Sequence, residues 1–314
     1  MKRKHIQNKV AESRIALSVT AVYGLLVWLA SGLVQQQLWL SFILFLVSTY
    51  LIVELNNQNA LIRIYSRMVS CSFIMLTAMT AINIKDVGPF AVQLSFIAFY
   101  SILFHTYQSR RSTGWVFFAF CCISIGSLFW VQELYFVPVL WIILGTNLMA
   151  FSCRSFLASI LGLLMPYWFA AGYEFYLGDI TPLADHFRQL GEFLPVLPFY
   201  EHETPLRFIT ITFVTVLGIT GTIHFLRNSF KDKIRTRMLY EIFITLFLCT
   251  LAFLILQPQH EAYLLLLLII NVSLLISHFI TLTHTKITNI AFFIIVAATL
   301  GLTFMNLWMP SFTF

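Results

Sequence analysis

Residues 177–207, LGDITPLADHFRQLGEFLPVLPFYEHETPLR, hold the chain's richest mixture of reactive side chains. Carboxylates (Asp179, Asp185, Glu192, Glu201, Glu203) stand among the imidazoles of His186 and His202 and the guanidinium groups of Arg188 and Arg207. A carboxylate beside arginine is what transfer to or from a phosphate ester needs. The acid takes a proton, and the planar guanidinium holds the phosphate through two parallel bonds. Glu174, in MPYWFAAGYEFYLGD, lies just upstream. The candidate catalytic acids are therefore Glu174 and Asp185, and the candidate substrate-binding groups are Arg188, Arg207, His186 and His202. The alternative is ordinary ion pairing, with Glu174 reaching water from the end of a helix. Imidazoles and carboxylates also bind metals, but HExxH or comparable spacing is missing, so neither a metal nor a cofactor is expected. Walker, Rossmann, kinase and GxSxG motifs are missing too.

The elements that must position these residues follow from composition. Of 314 residues, 59% are hydrophobic and 10% charged, where soluble domains carry about 25% charged. Lipid must therefore solvate most of the chain. Apolar runs near the roughly 20 residues of a spanning helix fall at 15–34, 38–55, 66–82, 90–107, 115–131, 135–151, 156–176, 206–226, 239–256, 262–281 and 288–308. The expected fold is all-α: a polytopic transmembrane bundle of about eleven spans, one integral domain over 1–314 with an outer loop at 177–205. With the N-terminus cytoplasmic, every one of the 19 Lys and Arg residues except Lys85, Arg188 and Arg207 falls inside, as the positive-inside rule asks. That makes the lipid bilayer the protein's partner. The net charge of +6 arises from small clusters between spans, not from a basic face on a soluble fold, so nucleic acid is excluded as a partner. The five cysteines avoid the polar outer segment, which argues against a disulfide framework.

The outer loop has its own pattern. Thr181-Pro182 predicts a helix start, with Thr capping and Pro at a first-turn position. Leu183, Phe187 and Leu190 then share one face, with Asp185, His186, Arg188 and Gln189 off it. This is a short interfacial helix. Pro195 and Pro198 stop it, and Thr204-Pro205 opens the next span. Pro166 is expected to bend the seventh span and help open a cavity under this helix. Inside the bundle, His105, Asn147, His224, Asn271, His278 and Asn306, with Glu54, are expected to pair across helices. Asn271 and His278, at i and i+7, either line a path or simply pair.

The runs RRSTGWVFFAFCCISIGSLFWVQELYFVPVLWIILG and FSCRSFLASILGLLMPYWFAAGYEFYLGD resemble an uncharacterised family of Bacteroidota multi-span inner-membrane proteins. The first run also resembles, more weakly, a hairpin of polyprenyl-phosphate glycosyltransferases of the GT-C type. The GT-C resemblance implies a catalytic acid in the first outer connection. LVQQQLW offers only Gln35, Gln36 and Gln37 there, so the acid would have to come from the 177–207 stretch. Three functions stay open: an accessory or assembly protein of the envelope with a protein partner, a GT-C-like transferase or ligase using a lipid-linked sugar at the outer face, and a transporter or flippase.

Overall fold

The computed structural model describes residues 5–81, 85–109, 111–193 and 205–308, and every regular element among them is helical. In chain order these are α1 (Ile6–Ala11), α2 (Ala16–Ala30), α3 (Trp39–Asn59), α4 (Met68–Ala81), α5 (Val87–Leu103), α6 (Thr113–Ser127), α7 (Val137–Thr146), α8 (Cys153–Leu177), α9 (Thr181–Arg188), α10 (Pro205–Asn228), α11 (Ile234–Leu256), α12 (Glu261–Leu282) and α13 (Lys286–Trp308). A helix satisfies its own backbone groups, which is what a chain solvated by hydrocarbon requires.

Seven of these helices are long and apolar enough to cross a membrane: α3, α5, α8, α10, α11, α12 and α13. The other four expected spans fall on shorter apolar helices, namely α2, α4, α6 and the segment from Val131 through α7. The difference has a local cause. At about 1.5 Å per residue, the 14 or 15 residues of α2, α4 and α6 fall short of a hydrocarbon core about 30 Å thick. After α2 the chain winds through hydrogen-bonded turns, with Gln36 N–H donating to Gly32 O (2.8 Å) and Leu38 N–H to Leu33 O (3.1 Å). After α6, Phe129 and Trp130 N–H both donate to Gly126 O (2.9 and 3.2 Å), and a 3-10 turn over Val131–Phe136 leads into α7. The expected 20-residue runs are therefore partly tight turns.

The centre of the bundle is α12, with 94% of its most apolar window buried. It packs on α4, α5, α10 and α11, and its sequence EAYLLLLLIINVSLLISHFITL is apolar on every face, as a fully enclosed helix must be. The close approach of α10 depends on its glycines. A Cβ on Gly221 would lie 2.6–2.8 Å from atoms of Leu275, and one on Gly218 2.3 Å from the Phe247 ring. Small residues permit this contact where lipid gives helices no hydrophobic reason to associate. Gly162 of α8 does the same against Phe117 O of α6, at 2.4 Å. Pro166 lies inside α8 and does not end the helix. Ser124 Oγ of α6 donates to Leu163 O (2.6 Å), in the turn that the proline disturbs.

The bundle has two differently built ends. At one, α1 docks on the last turns of α12: the fully buried Gln7 donates to Ile280 O and Thr283 Oγ1, and Asn8 Nδ2 to Thr283 O (2.9 Å). Ser66 Oγ donates to Ala11 O (2.7 Å) and Arg235 to Asn59 Oδ1 (2.8 Å) at the same end, called here the basic end. At the opposite end α9 and the 3-10 turn Gln189–Gly191 form a cap.

Replacing Gly221 with valine overpacks the α10–α12 contact and is expected to lower stability by about 1–3 kcal/mol. Gly301→Ala, with nothing within 4 Å of the added carbon, is the neutral control. Thermal unfolding in detergent reads both.

Candidate functional site

The cap places most of the sequence-predicted residues. α8 closes in a left-handed turn at Gly178 (φ +81°), where Gly178 N–H donates to Phe175 O (3.1 Å) and Asp179 N–H to Glu174 O (3.2 Å). This closure sends the chain back over the bundle. Asp179 Oδ1, rather than Thr181 as the sequence led us to expect, accepts the first-turn N–H of Thr181 at 2.9 Å. Phe187, on the apolar face, packs 4.8 Å from the Tyr167 ring, and Leu183 and Leu190 of the same face are half-buried. His186, expected off that face, is on it: its Nε2–H donates to Ser127 O (2.9 Å), with Tyr167 Oη at 3.5 Å. Ser127 Oγ donates to Ser124 O, so Tyr167 is the donor in the 2.8 Å bond between the two hydroxyls. Tyr135 and Gln132 donate to Leu190 O and Gln189 O and pin the cap from below.

The candidate acids and cations are dispersed over this cap. Asp185 and Arg188 pair with each other at 3.1 Å, largely exposed at 55% and 78%. Glu174 is half-buried in the last turn of α8, and Arg207 half-buried in the first turn of α10. His202 lies outside the described residues, as do Glu201 and Glu203. The acid enclosed beneath the cap end is Glu133, on the 3-10 turn before α7. It is fully buried, with Ser95 Oγ at 3.4 Å. Gly126 makes room for it, since a Cβ there would lie 2.2 Å from Glu133 Oε2. The sequence placed Glu133 among the outer acids and gave no sign of its enclosure, which the tight turn imposes.

A second cluster of titratable side chains lies at the basic end. The carboxylate of Asp232, 3% exposed, accepts from Nε2–H of His278, 1% exposed, at 3.0 Å. His278 Nδ1 faces His224 Nδ1 at 3.4 Å. With both rings neutral the assignment is forced: His278 gives its one proton to Asp232, His224 donates to His278 Nδ1, and His224 Nε2 keeps a lone pair. Arg63 approaches Asp232 at 3.9 Å and also donates to Lys231 O at 3.4 Å. Phe225 and Tyr240 enclose His278, with ring centres 5.3 and 5.0 Å away. The buried Tyr240 hydroxyl has no hydrogen-bond partner among the described residues.

The chain of groups ends in open space. His224 lines a groove of about 590 Å³ with Thr220, Ile223, Arg227, Asn228, Phe230 and Phe279. An acid that orients one imidazole, which backs a second imidazole at a cavity, is a general-base arrangement. Arg227 supplies a cation beside it, and Phe230 and Phe279 supply apolar walls. In the sequence His224 and His278 stand 54 positions apart as separate polar groups of two spans, and the one sign of Asp232 is its isolation as the single acid in the basic run SFKDKIRTR. Asn271, which shares a helix face with His278, is bonded across helices: Tyr100 Oη donates to its Oδ1 at 2.8 Å, and its own Nδ2 donates to Leu267 O.

A model of the family of unknown function DUF6427 matches residues 4–310. The chain belongs to that family. No curated protein and no solved structure is similar to it. The DUF6427 chain thus carries its buried Asp232–His278 pair, with His224 beside it, at the basic end.

Two outcomes check the geometry. Diethylpyrocarbonate should modify His224 well before the enclosed His278, as read by peptide mass spectrometry, and Phe225→Ala should open His278 to the reagent. At the cap, hydrogen bonds from the Thr181 side chain and backbone hold Asp179 below the usual aspartate range. A lowered folded value means that the contribution is complete above the unfolded pKa of about 3.9 and is lost as pH falls through the folded one. Hydrogen exchange should therefore show α9 loosening at about pH 3 relative to pH 5 in the wild type, and Asp179→Asn should remove that dependence.

Proposed function

We propose that this chain is a multi-span bacterial inner-membrane protein with its basic end in the cytoplasm, serving the envelope by binding an anionic amphiphile there. In this reading His224 acts as general base on the ligand's head group. The observation that carries it is the Asp232–His278–His224 series ending in a groove that also holds Arg227.

The roles follow from the geometry. Arg227 holds a phosphate or carboxylate on the ligand. Ile223, Phe230 and Phe279 receive its apolar part. His224 takes a proton from a hydroxyl or water bound in the groove, and the resulting imidazolium is stabilised through His278 by Asp232. Asp232 and His278 are positioning residues, since neither lines the groove. Arg63 fixes the carboxylate from the far side, and Arg235, bonded to Asn59 and Phe104 O, holds the loop that carries Asp232. Up to eleven crossings, with the short helices tilted or enclosed among the long ones, complete the architecture in this proposal.

A second reading places the chemistry at the outer face, as a GT-C-like transferase with Glu174 or Asp185 as base and Arg188, Arg207, His186 and His202 around the substrate. The observation in its favour is the polar network of His186, Tyr167 and Ser127 beneath the cap. A transport role finds less to build on, because Asn271 is paired within the packed core.

Mass spectrometry of lipid retained by protein purified from native membranes separates these readings. The first expects an anionic lipid that Arg227→Ala releases and Asp232→Asn retains, with conversion of that lipid in vesicles only by the wild type. Retention unchanged by Arg227→Ala but abolished by Arg188→Ala would move the site to the cap.

A further inference from the structure

A second cavity, of about 490 Å³, lies away from the His224 groove. It is bounded by α2, α4 and α13, with Leu217 of α10 and Ile276 and Ile280 of α12 at its back. Its lining runs from the α1–α2 junction (Val10, Ile15) to Tyr23, and on α13 from Phe292 to Leu300. The cavity therefore starts at the basic end and rises about halfway along the bundle. Tyr23, the deepest lining residue of α2, shares a 2.6 Å hydrogen bond with Thr303, one turn beyond Thr299 on α13, and the pair closes the inner end.

We infer that this slot holds one acyl chain of an anionic phospholipid from the leaflet at the basic end. The lining is apolar apart from a few hydroxyls and a thiol, with the rings of Tyr23 and Phe292 and the thioethers of Met68 and Met75 among aliphatic side chains, and the central hydroxyls are already engaged. Thr20 Oγ1 donates to Ala16 O and Leu17 O, and Thr299 Oγ1 to Ile295 O. A polar ligand would find few donors there, whereas a hydrocarbon chain needs none. A slot of this size left empty at membrane depth would forfeit dispersion contacts along its walls.

Transfer of a chain from bilayer to slot brings no hydrophobic gain, because lipid is as apolar as the lining. Preference must come from the mouth. Lys9 and Arg14 sit beside the lining residues Val10, Ser13 and Ile15, and Lys286 opens α13; all three are exposed. Gln7 N–H donates to Asn289 Oδ1 at 3.0 Å, which brings α1 against the start of α13 and gathers these cations on one rim. Glu12 is the acid among them. The rim's excess positive charge selects an anionic head group, each cation favouring it by attraction at the surface. This inference does not use His224, Arg227 or Asp232, and stands or falls separately from the groove.

The test uses the full chain in vesicles containing a phosphatidylglycerol or a phosphatidylcholine with a diazirine near the end of one acyl chain. In the wild type, phosphatidylglycerol should label Thr20, Met75 or Val296 more strongly than phosphatidylcholine does. Thr20→Trp or Val296→Phe, each filling the slot, should remove most of that labelling, while Val22→Trp on the exposed face of α2 should leave it intact. Neutralising Lys9, Arg14 and Lys286 together should reduce the preference for phosphatidylglycerol by more than about tenfold, with residual labelling by both lipids. Equal labelling by the two lipids in the wild type, or labelling indifferent to both slot-filling variants, overturns the inference. A lipid released by Arg227→Ala while slot labelling persists would leave it standing.

Discussion

The arrangement depends on one constraint: α12 is enclosed on every side. A helix of twenty-two residues has no lipid-facing stripe in that position, so every polar group it carries must find a partner among its neighbours. Asn271 takes the Tyr100 hydroxyl. His278 takes Asp232 and His224, which brings the α10–α11 connection down onto the end of the bundle. The last carbonyls of α12 and Thr283 take the side chains of Gln7 and Asn8, and this docks α1. Close approach of α10 through Gly218 and Gly221 makes these contacts reachable.

The two ends of the bundle then treat polarity in opposite ways. At the cap end, Ser127, Tyr167 and His186 turn inward and tie a surface helix to the helices beneath it, Glu133 lies buried against Ser95, and Asp185 and Arg188 pair on the surface. The buried groups there hold structure together. At the basic end a buried carboxylate and a buried imidazole back a second imidazole that borders open space. Enclosure orients the first two groups, and the groove lets the third meet a ligand. That difference in access, more than the number of reactive groups, favours the basic end as the working surface.

In the stretch from 177 to 207, residue content and geometry are separate matters. The stretch holds acids, imidazoles and arginines within about thirty residues, but a short exposed helix spreads its side chains around its axis. Asp185 and Arg188 meet each other because they are three apart, and His186 turns the opposite way into the bundle. Their proximity along the chain is a local effect of helix geometry, and it says nothing of convergence on a cavity.

Hydropathy and charge alone determined that the chain is a bundle of apolar helices suited to a membrane, roughly where those helices fall, and that a short helix starts at Thr181. These are properties of period and composition, which act over a few turns. Tertiary structure decided the rest. It turned the ends of the expected spans at 15–34 and 115–131 into tight turns, enclosed Glu133 rather than Glu174, and joined Asp232 to His278 across 46 positions of chain. Such contacts depend on which helix faces which. In lipid that choice is made by small residues and paired polar groups, because the apolar pattern is nearly the same on every face.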